Sequence, residues 1–502
     1  ITLTDEVTFN AATIDGHIGM AYDSTAERIA IGFRDEGDSF KGKSVVAIND
    51  TGGKVKAIAE TAISQAAGTP VQISGSYLLN FGAAYDSANQ KVVVVYRDLT
   101  NNSYATAAVA TVDNSDNSVS FGTPVVFNSG TSTQLSASYD TNAGKIVAVY
   151  RDFGNSQYGT AIVGTVSGTS ISFGSEAVYN SATSQQNHIA YDSTAQKHVI
   201  VYQDGTDLNA VVGTVSGTSI SFGSEATVSA NANYGVPDVV YDSGNDKTVV
   251  FYGDNGDSQK GKAKVGTVSG TSISFGTAAE FEGGTTLCIS AAYDSSAGKV
   301  VVAYKDSSDS NKGKAAVGTV SGTGISFGTP ADFESGAIGN TTTTSYDAST
   351  SKIVIAYEDA DNSEYGTAVA GTVSGTSITF ETPLVIENSA TDEFHGSAYD
   401  ANAERVVIFY EDEGDSNKGK GVVFQAASTT TNLTTENYIG ITDQAYTDGQ
   451  DATIAVVGCI DRNQTSLTAG QQYFVQKDGT LALTAATPSV VAGTAISATE
   501  LV

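Results

Sequence analysis

Four acidic turns carry the residue types best suited to holding a metal ion. Asp35 and Asp38, Asp254 and Asp257, Asp306 and Asp309, and Asp412 and Asp415 each set two carboxylates across a short turn. Calcium accepts six to eight oxygens and tolerates irregular loops, so Asp35, Asp38, Asp254 and Asp257 are the calcium candidates. Each pair is followed at once by Lys-Gly-Lys and lacks a third side-chain oxygen in register. The expectation is therefore that the first Asp caps a hairpin turn and the second is solvated. The first copy, GDSFKGKS (Gly37 to Ser44), also matches the phosphate-loop expression, whose chemistry needs backbone amides at a helix start. The copies at Gly256 to Ala263 and Gly414 to Gly421 lack the terminal hydroxyl, which argues against nucleotide binding. GISFG (Gly324 to Gly328) fits the nucleophile-elbow pattern, but it opens a strand and no strand-to-helix turn follows. No cofactor is expected.

Two further constellations invite an enzymatic reading. Arg34, Arg97 and Arg151 occupy equivalent places, and His17, His188 and His395 each lie just before a Tyr-Asp pair. Clamping a substrate carboxylate requires arginines converging on one point from different depths, whereas equivalent places in successive units point to different sectors. Three polar residues in three units is the plainer reading of the histidines. The chain is expected not to be an enzyme.

What positions these residues is a tandem array. Tyr-Asp recurs at Tyr22, Tyr85, Tyr139, Tyr191, Tyr241, Tyr293, Tyr346 and Tyr399. Units of this length cannot bury their apolar faces alone and must stack on one another. Each unit reads as four short strands: A ending at Tyr-Asp, B ending at Tyr-x-Asp as in KVVVVYRD (Lys91 to Asp98), C ending in the GTV segment, and D, the ISFG segment. The β-branched runs bounded by Gly, Asn, Asp and Ser indicate buried strands, with no helical period. Four strands per unit make a propeller blade. Pro70, Pro124, Pro330 and Pro383 fall in D, which makes D the outer edge. ITLTDEVTFN at the start aligns with a D strand, and the last copy ends after C near Gln425. An all-β, eight-bladed propeller over residues 1–426, closed by the N-terminal strand, is expected. A seven-bladed ring with a detached outer unit is the alternative, since the first interval is longest and irregular.

Composition narrows the partners. Lys plus Arg number 25 against 55 Asp plus Glu, a formal charge of −30, so nucleic acid and anionic membranes are poor partners. No apolar run approaches the roughly 18–20 residues of a membrane helix. With only Cys288 and Cys459, disulfides are not the framework. The chain opens at Ile1 without a visible signal peptide, and either processing or a preceding extension is expected.

The A-B and C-D turns are nearly uniform among copies, whereas the D-A and B-C connections vary. In a propeller these two pairs lie on opposite faces. The variable face presents His17, Tyr77, Gln134, His188, Tyr234 and His395. The residue inside Tyr-x-Asp there changes from Arg97 and Arg151 through Gln203 and Lys305 to Glu358 and Glu411. Polar and aromatic side chains on rigidly mounted connections suit hydroxyl-rich glycans. Unconstrained drift of exposed connections is the other reading.

After residue 426 the period disappears. DATIAVVGCI, LTAGQQYFVQ, a KDGT turn and SVVAGTAISATELV define a small β domain over 427–502, a barrel or sandwich. The stretch NYIGITDQAYTDGQDATIAVVG together with LTAGQQYFVQKDGTLALTAATPSVVAGTAISATEL resembles a C-terminal module of tail-fibre-like and other structural proteins of marine bacteriophages, including those of cyanobacteria. The repeated VGTVSGTSISFG resembles arrays in such proteins. The resemblance implies a virion or extracellular appendage. The expected function is recognition of a host-surface glycan or receptor through the variable face, with contacts to other virion or surface-structure proteins, and homo-oligomerisation, through residues 427–502. A purely architectural decoration or filament subunit is the alternative, and a glycan-active hydrolase is third.

Overall fold

The computed structural model describes residues 19–23, 28–35, 41–48, 58, 60–232, 234–431, 433–434, 438–442, 444–445, 453–456, 459–486 and 488–502. These residues form β-strands and three short 3-10 turns, with no α-helix. Contacts divide the chain into Ser64–Ala427 and a second unit drawn from Ile1–Ile63 and Ser428–Val502.

Among the described residues, Ser64–Ala427 builds seven antiparallel sheets. The second sheet is typical. Its A strand occupies the end of Val125–Asp140, followed by Lys145–Asp152 as B and Tyr158–Ser167 as C. B pairs C from Ile146 opposite Gly164 to Asp152 opposite Tyr158. The outer edge is in two pieces: Ser170–Phe173 pairs the hairpin end of C, and the start of Ala177–Thr183 pairs the other end. Pro124, Pro330 and Pro383 fall in the breaks between such pieces, where no ladder hydrogen bond is demanded of them. The B strands lie between neighbouring sheets and are buried on both faces, which explains their continuous apolar runs. Tyr96, Tyr150, Tyr202, Tyr252, Tyr304, Tyr357 and Tyr410 at their ends are fully buried.

The inner strands contact one another in cyclic order from the first set through the seventh and back to the first. The sequence leads to closure by residues 1–10, which lie outside the described residues. The free edge of the last C strand, Lys418–Gln425, is instead paired by Ala66–Ala67 and by Val71 and Gln72. One apolar core joins Val92, Val94 and Tyr96 to Val407, Phe409 and Val423 across that closure. Likewise, the sequence gives eight A-B-C sets, but the first copy (Gly19–Asp23, Arg28–Asp35, Lys41–Ile48) forms its own three-stranded sheet within the other unit.

The Tyr-Asp pair is a latch between sheets. Each Asp from Asp86 to Asp400 is buried and accepts the backbone N–H groups two and three residues on, as Asp400 does from Asn402 at 2.9 Å and Ala403 at 3.0 Å. The Tyr reaches the turn of the preceding sheet. Tyr139 Oη accepts from Ala88 N at 3.3 Å, and Tyr293 Oη from Gly244 N at 3.1 Å. Tyr85 Oη accepts from Asn402 N at 3.1 Å, linking the first set to the last. A glycine at the break in the outer edge of six of the sheets, Gly68, Gly122, Gly174, Gly223, Gly276 and Gly328, makes a second such contact. A Cβ on Gly174 would lie 2.0 Å from Thr218 O, and one on Gly68 would lie 1.8 Å from Asn117 O.

In the other unit, Gln472–Val475 is flanked by Leu481–Ala482 and Val490–Thr494, and Ser428–Thr431 pairs Glu60–Ile63. Its small cores gather Tyr473, Leu467, Ala495 and Leu501, and Leu433, Val475 and Val490.

Candidate binding site at the channel mouth

The D-A connections that read as loops are not loops. In several sets one strand, such as Val125–Asp140 or Leu384–Asp400, runs from the outer edge of one sheet to the inner position of the next. Each inner strand breaks register once: between Leu79 and Gly82, Thr133 and Ser136, Gln185 and His188, Tyr234 and Asp238, Leu287 and Ser290, Ile338 and Thr342, and Asp392 and Gly396. Asn80, Gln134, Gln186, Cys288 and Glu393 sit at these bulges with φ between 49° and 57°. That left-handed conformation costs roughly 1–2 kcal/mol for a residue with a Cβ. Bulges re-aim side chains, and here they aim them at the channel mouth.

Hydrogen bonds join each bulge to the next around the whole circuit. Glu393 Oε2 accepts from Asn80 N and Nδ2 at 3.0 and 3.1 Å, and Asn80 Oδ1 accepts from Gln134 N at 3.2 Å. Asn187 Nδ2 donates to Gln134 O at 3.4 Å. His188 Nδ1 lies 3.2 Å from Asp238 Oδ1, and Asp238 Oδ2 accepts from Ala291 N at 2.7 Å. Thr342 Oγ1 donates to Cys288 O at 2.7 Å, and Thr341 Oγ1 accepts from Phe394 N at 2.8 Å. The belt encloses a cavity of about 150 Å³ lined by all seven inner strands, with Ser136, His188, Asp238, Ser290, Thr343 and Ser397 among its polar groups.

The rim is electrically lopsided. The residue within Tyr-x-Asp, set beside each bulge, is Arg97, Arg151, Gln203, Gly253, Lys305, Glu358 and Glu411 in order. Burial, then Asp392, Glu364 and Glu413, push Glu358 up to about 7 against the pull of Lys305. Burial also lifts Glu411 to about 7 against the pull of the Asn417 amide, with Glu393, Asp392 and Glu413 acting in the same direction as burial. Glu393 behaves oppositely. Burial opposes its charge, but His395, 3.3 Å away, and the Asn80 donors hold its carboxyl down at about 2. His395 is raised because Glu393 and Asp392 overcome its burial.

The residues expected on the variable face are thus distributed as follows. His188 and His395 line the cavity, and Gln134 forms part of the belt. Tyr77, 36% exposed, lies on the rim in the fields of Glu411, Glu393 and Arg97. Arg97 Nη2 donates to Ser103 Oγ at 3.1 Å, and Arg151 bonds Gln157 and stacks 4.6 Å over Phe153, so neither is aimed at the cavity centre. Tyr234 pairs Gly253 at its bulge, and His17 lies outside the described residues. Sequence reading missed Asn80, Asp238, Thr341, Asp392 and Glu393, which lie a few residues before Tyr-Asp. The signal that could have found them is a cluster of polar residues three to seven positions before the pair. The A-B and C-D turns share the other face, where Arg405 Nε donates to Asn117 Oδ1 at 2.7 Å.

The acidic turns are filled from within. Lys262 Nζ lies 2.8 Å from Asp254 and 2.7 Å from Asp257, and Lys314 lies 2.7 and 2.8 Å from Asp306 and Asp309. A lysine ammonium occupies the place a calcium ion would take, so the second Asp is ion-paired rather than merely solvated. Asp38 lies outside the described residues. The turns at Asn255–Asp257 and Glu413–Asp415 lead into strands, not helices.

Among the described residues Ser138, His198 and Asp140 form a buried triad-like group, with Oγ to Nδ1 at 2.9 Å and Nε2 to Oδ2 at 3.4 Å. His198 is fully buried and Asp140 already caps its turn, so no substrate reaches the group.

No protein-family model matches the chain, and no curated protein matches it in sequence. Similar solved structures include a protein from Lactobacillus plantarum, at 12% identity and TM-score 0.45 over 74% of this chain and 96% of that one. The Dos1 propeller follows at 8% identity and 0.42, over 72% and 95%. A mutant of Aleuria aurantia lectin AAL in complex with Fucalpha1-6GlcNAc has 12% identity and 0.37, over 62% and 98%. At this distance they add nothing to the strand pairings, on which the propeller description rests.

Proposed function

We propose that Ser64–Ala427 is a seven-bladed ring, with the first repeat outside it, and that its channel mouth binds a polar group of a host-surface glycan or receptor. The observation that carries this is the belt. Seven bulges on one repeated scaffold, five of them strained, present different side chains to one polar cavity. The cavity is about 150 Å³, below the roughly 300 Å³ of a typical small-molecule pocket, so it suits a single terminal group rather than a whole oligosaccharide. His188 and Asp238, with side chains 22% and 17% exposed, supply donor and acceptor, and the hydroxyls around them suit a hydroxyl-rich ligand. The protein acts by binding, on an extracellular or virion appendage, with residues 427–502 contacting neighbouring structural proteins or further copies. The resemblance of that segment to phage structural modules supports the location.

A glycan microarray probed with the intact chain tests the reading. A hit should lose about tenfold or more in affinity in His188→Ala and Asp238→Asn, since a hydrogen bond to a charged group contributes about 1.5–3 kcal/mol. Ser216→Ala on the opposite face should bind as the parent does. Equal binding by all three variants would overturn the assignment.

A further inference from the structure

Lys305, Asn340 and Glu358 meet at one seam of the array, between the fifth and sixth sheets. Lys305 is the middle residue of Tyr-x-Asp at the end of Lys299–Asp306, the B strand of the fifth sheet. The other described sheets place Arg, Gln, Gly or Glu there. Lys305 is 8% exposed, and a lysine this deep is ordinarily paired with a carboxylate, as Lys262, Lys314 and Lys420 are. Its Nζ instead donates to the neutral amide oxygen of Asn340, Oδ1, at 3.3 Å. Asn340 Cγ is bonded to that oxygen at about 1.23 Å, so it lies within about 4.5 Å of Nζ. A side-chain rotation of about 1 Å brings the two into the roughly 3–3.5 Å of a reactive approach.

The bulge that carries Asn340 is pinned from both neighbours. Cys288 Sγ of the fifth sheet donates to Asn340 O at 2.8 Å, and Thr341 Oγ1 accepts from Phe394 N of the seventh at 2.8 Å. Burial pushes the Cys288 thiol up to about 12, so it stays protonated and keeps its bond. Within the sixth sheet Thr342 pairs Tyr357 and Ile338 pairs Asp359, which leaves Gly339, Asn340 and Thr341 across from Glu358. The Glu358 carboxyl occupies the space over that glycine, since a Cβ on Gly339 would lie 1.9 Å from Glu358 Oε2. Burial first, and then the neighbouring carboxylates, raise Glu358 to about 7 against the charge of Lys305. A carboxyl in that range both accepts and returns a proton at neutral pH. Asn340 is exposed and lines the cavity at the channel mouth, so a small leaving group has a way out.

We propose that Lys305 and Asn340 condense into an amide bond that ties the fifth sheet to the sixth, with Glu358 carrying the proton. The Glu358 carboxylate takes a proton from the Lys305 ammonium, and the freed lone pair attacks Asn340 Cγ. The Nζ–Cγ bond forms, and the Cγ–Nδ2 bond breaks as Glu358 returns the proton to Nδ2. Nζ enters with three protons and keeps one; the other two join Nδ2, which leaves as an ammonium ion. Charge is conserved, Oδ1 ends as the carbonyl oxygen of the new amide, and no oxidant or further reactant is consumed. The reaction occurs once per chain, as a self-modification, and fixes the sixth bulge at the cavity wall.

The intact mass of the full chain, purified folded and held at neutral pH, reads the bond. The parent should weigh less than its sequence by one ammonia, and a protease digest should contain a branched peptide joining Lys305 to Asn340. Lys305→Gln and Asn340→Ala should each carry the full mass of their sequences. Glu358→Gln should form the bond at least tenfold more slowly. An asparagine that cyclises on its own backbone also loses ammonia, but it needs no lysine. A deficit that persists in Lys305→Gln, or a parent at the full mass of its sequence, overturns the proposal, and formation at the parent rate in Glu358→Gln overturns the role given to Glu358. Should a variant fail to fold, the mass and the branched peptide of the parent decide.

Discussion

Replacing Tyr85 by Phe removes one hydroxyl, and its effect depends on where the ring closes. Tyr85 Oη accepts from Asn402 N at 3.1 Å, as Tyr293 Oη accepts from Gly244 N at 3.1 Å inside the array. Both amides also bond the Asp of their own turn, at 2.9 and 3.0 Å, so the Tyr supplies a second, weaker acceptor. A net hydrogen bond contributes about 0.5–1.5 kcal/mol. Loss of about 1 kcal/mol corresponds to roughly fivefold faster exchange of an amide that exchanges by local opening. Hydrogen–deuterium exchange read at residues 400–404 in Tyr85→Phe and at 242–246 in Tyr293→Phe should therefore show similar, roughly fivefold accelerations. If Tyr293→Phe accelerates its turn while Tyr85→Phe leaves residues 400–404 unchanged, the first and seventh sheets are not neighbours and the seven-membered ring is wrong.

Burial holds His198 below its ordinary value despite Asp140, so the unfolded chain takes up the proton first. Stability should fall as pH drops below about 6.5, and a melting series from pH 7.5 to 5 should show this decline reduced in His198→Gln. Glu358 and Glu411, raised to about 7, act in the opposite sense. Their folded forms bind protons more tightly, so their contribution is full below about 4.5 and lost as pH rises through about 7. Glu358→Gln with Glu411→Gln should raise the melting temperature at pH 8 and not at pH 4. Gly328→Ala would set a Cβ 1.8 Å from Thr376 O and should destabilise by about 3 kcal/mol or more. Gly168→Ala meets open space and bears only its φ of +61°, about 1–2 kcal/mol; denaturant titration separates the two.

The repeat, the strand order and the outer edge were legible because β-branched runs, prolines and turn residues act locally. Ring membership was not. The first copy carries the same Tyr-Asp pair as the others, and what decides closure is the pairing of Ala66 and Ala67 with Phe424 and Gln425, residues with no repeat signature. The bulges were hidden because Gln134 or Glu393 at positive φ looks like any polar residue in a connection. The filling of the acidic turns was within reach. Asp254 and Lys262 differ by eight residues across a hairpin, which sets Lys262 opposite Tyr252 and near the carboxylate. The belt required coordinates, since its links join residues about 50 to 310 apart in sequence.

The most direct test of the central claim is an experimental map of the chain bound to a glycan or receptor fragment that it retains. The account predicts ligand density in the channel mouth within hydrogen-bond reach of His188, Asp238 and Ser290. Density confined to the A-B and C-D face or to the outer strand edges, with the mouth unaltered, would contradict it.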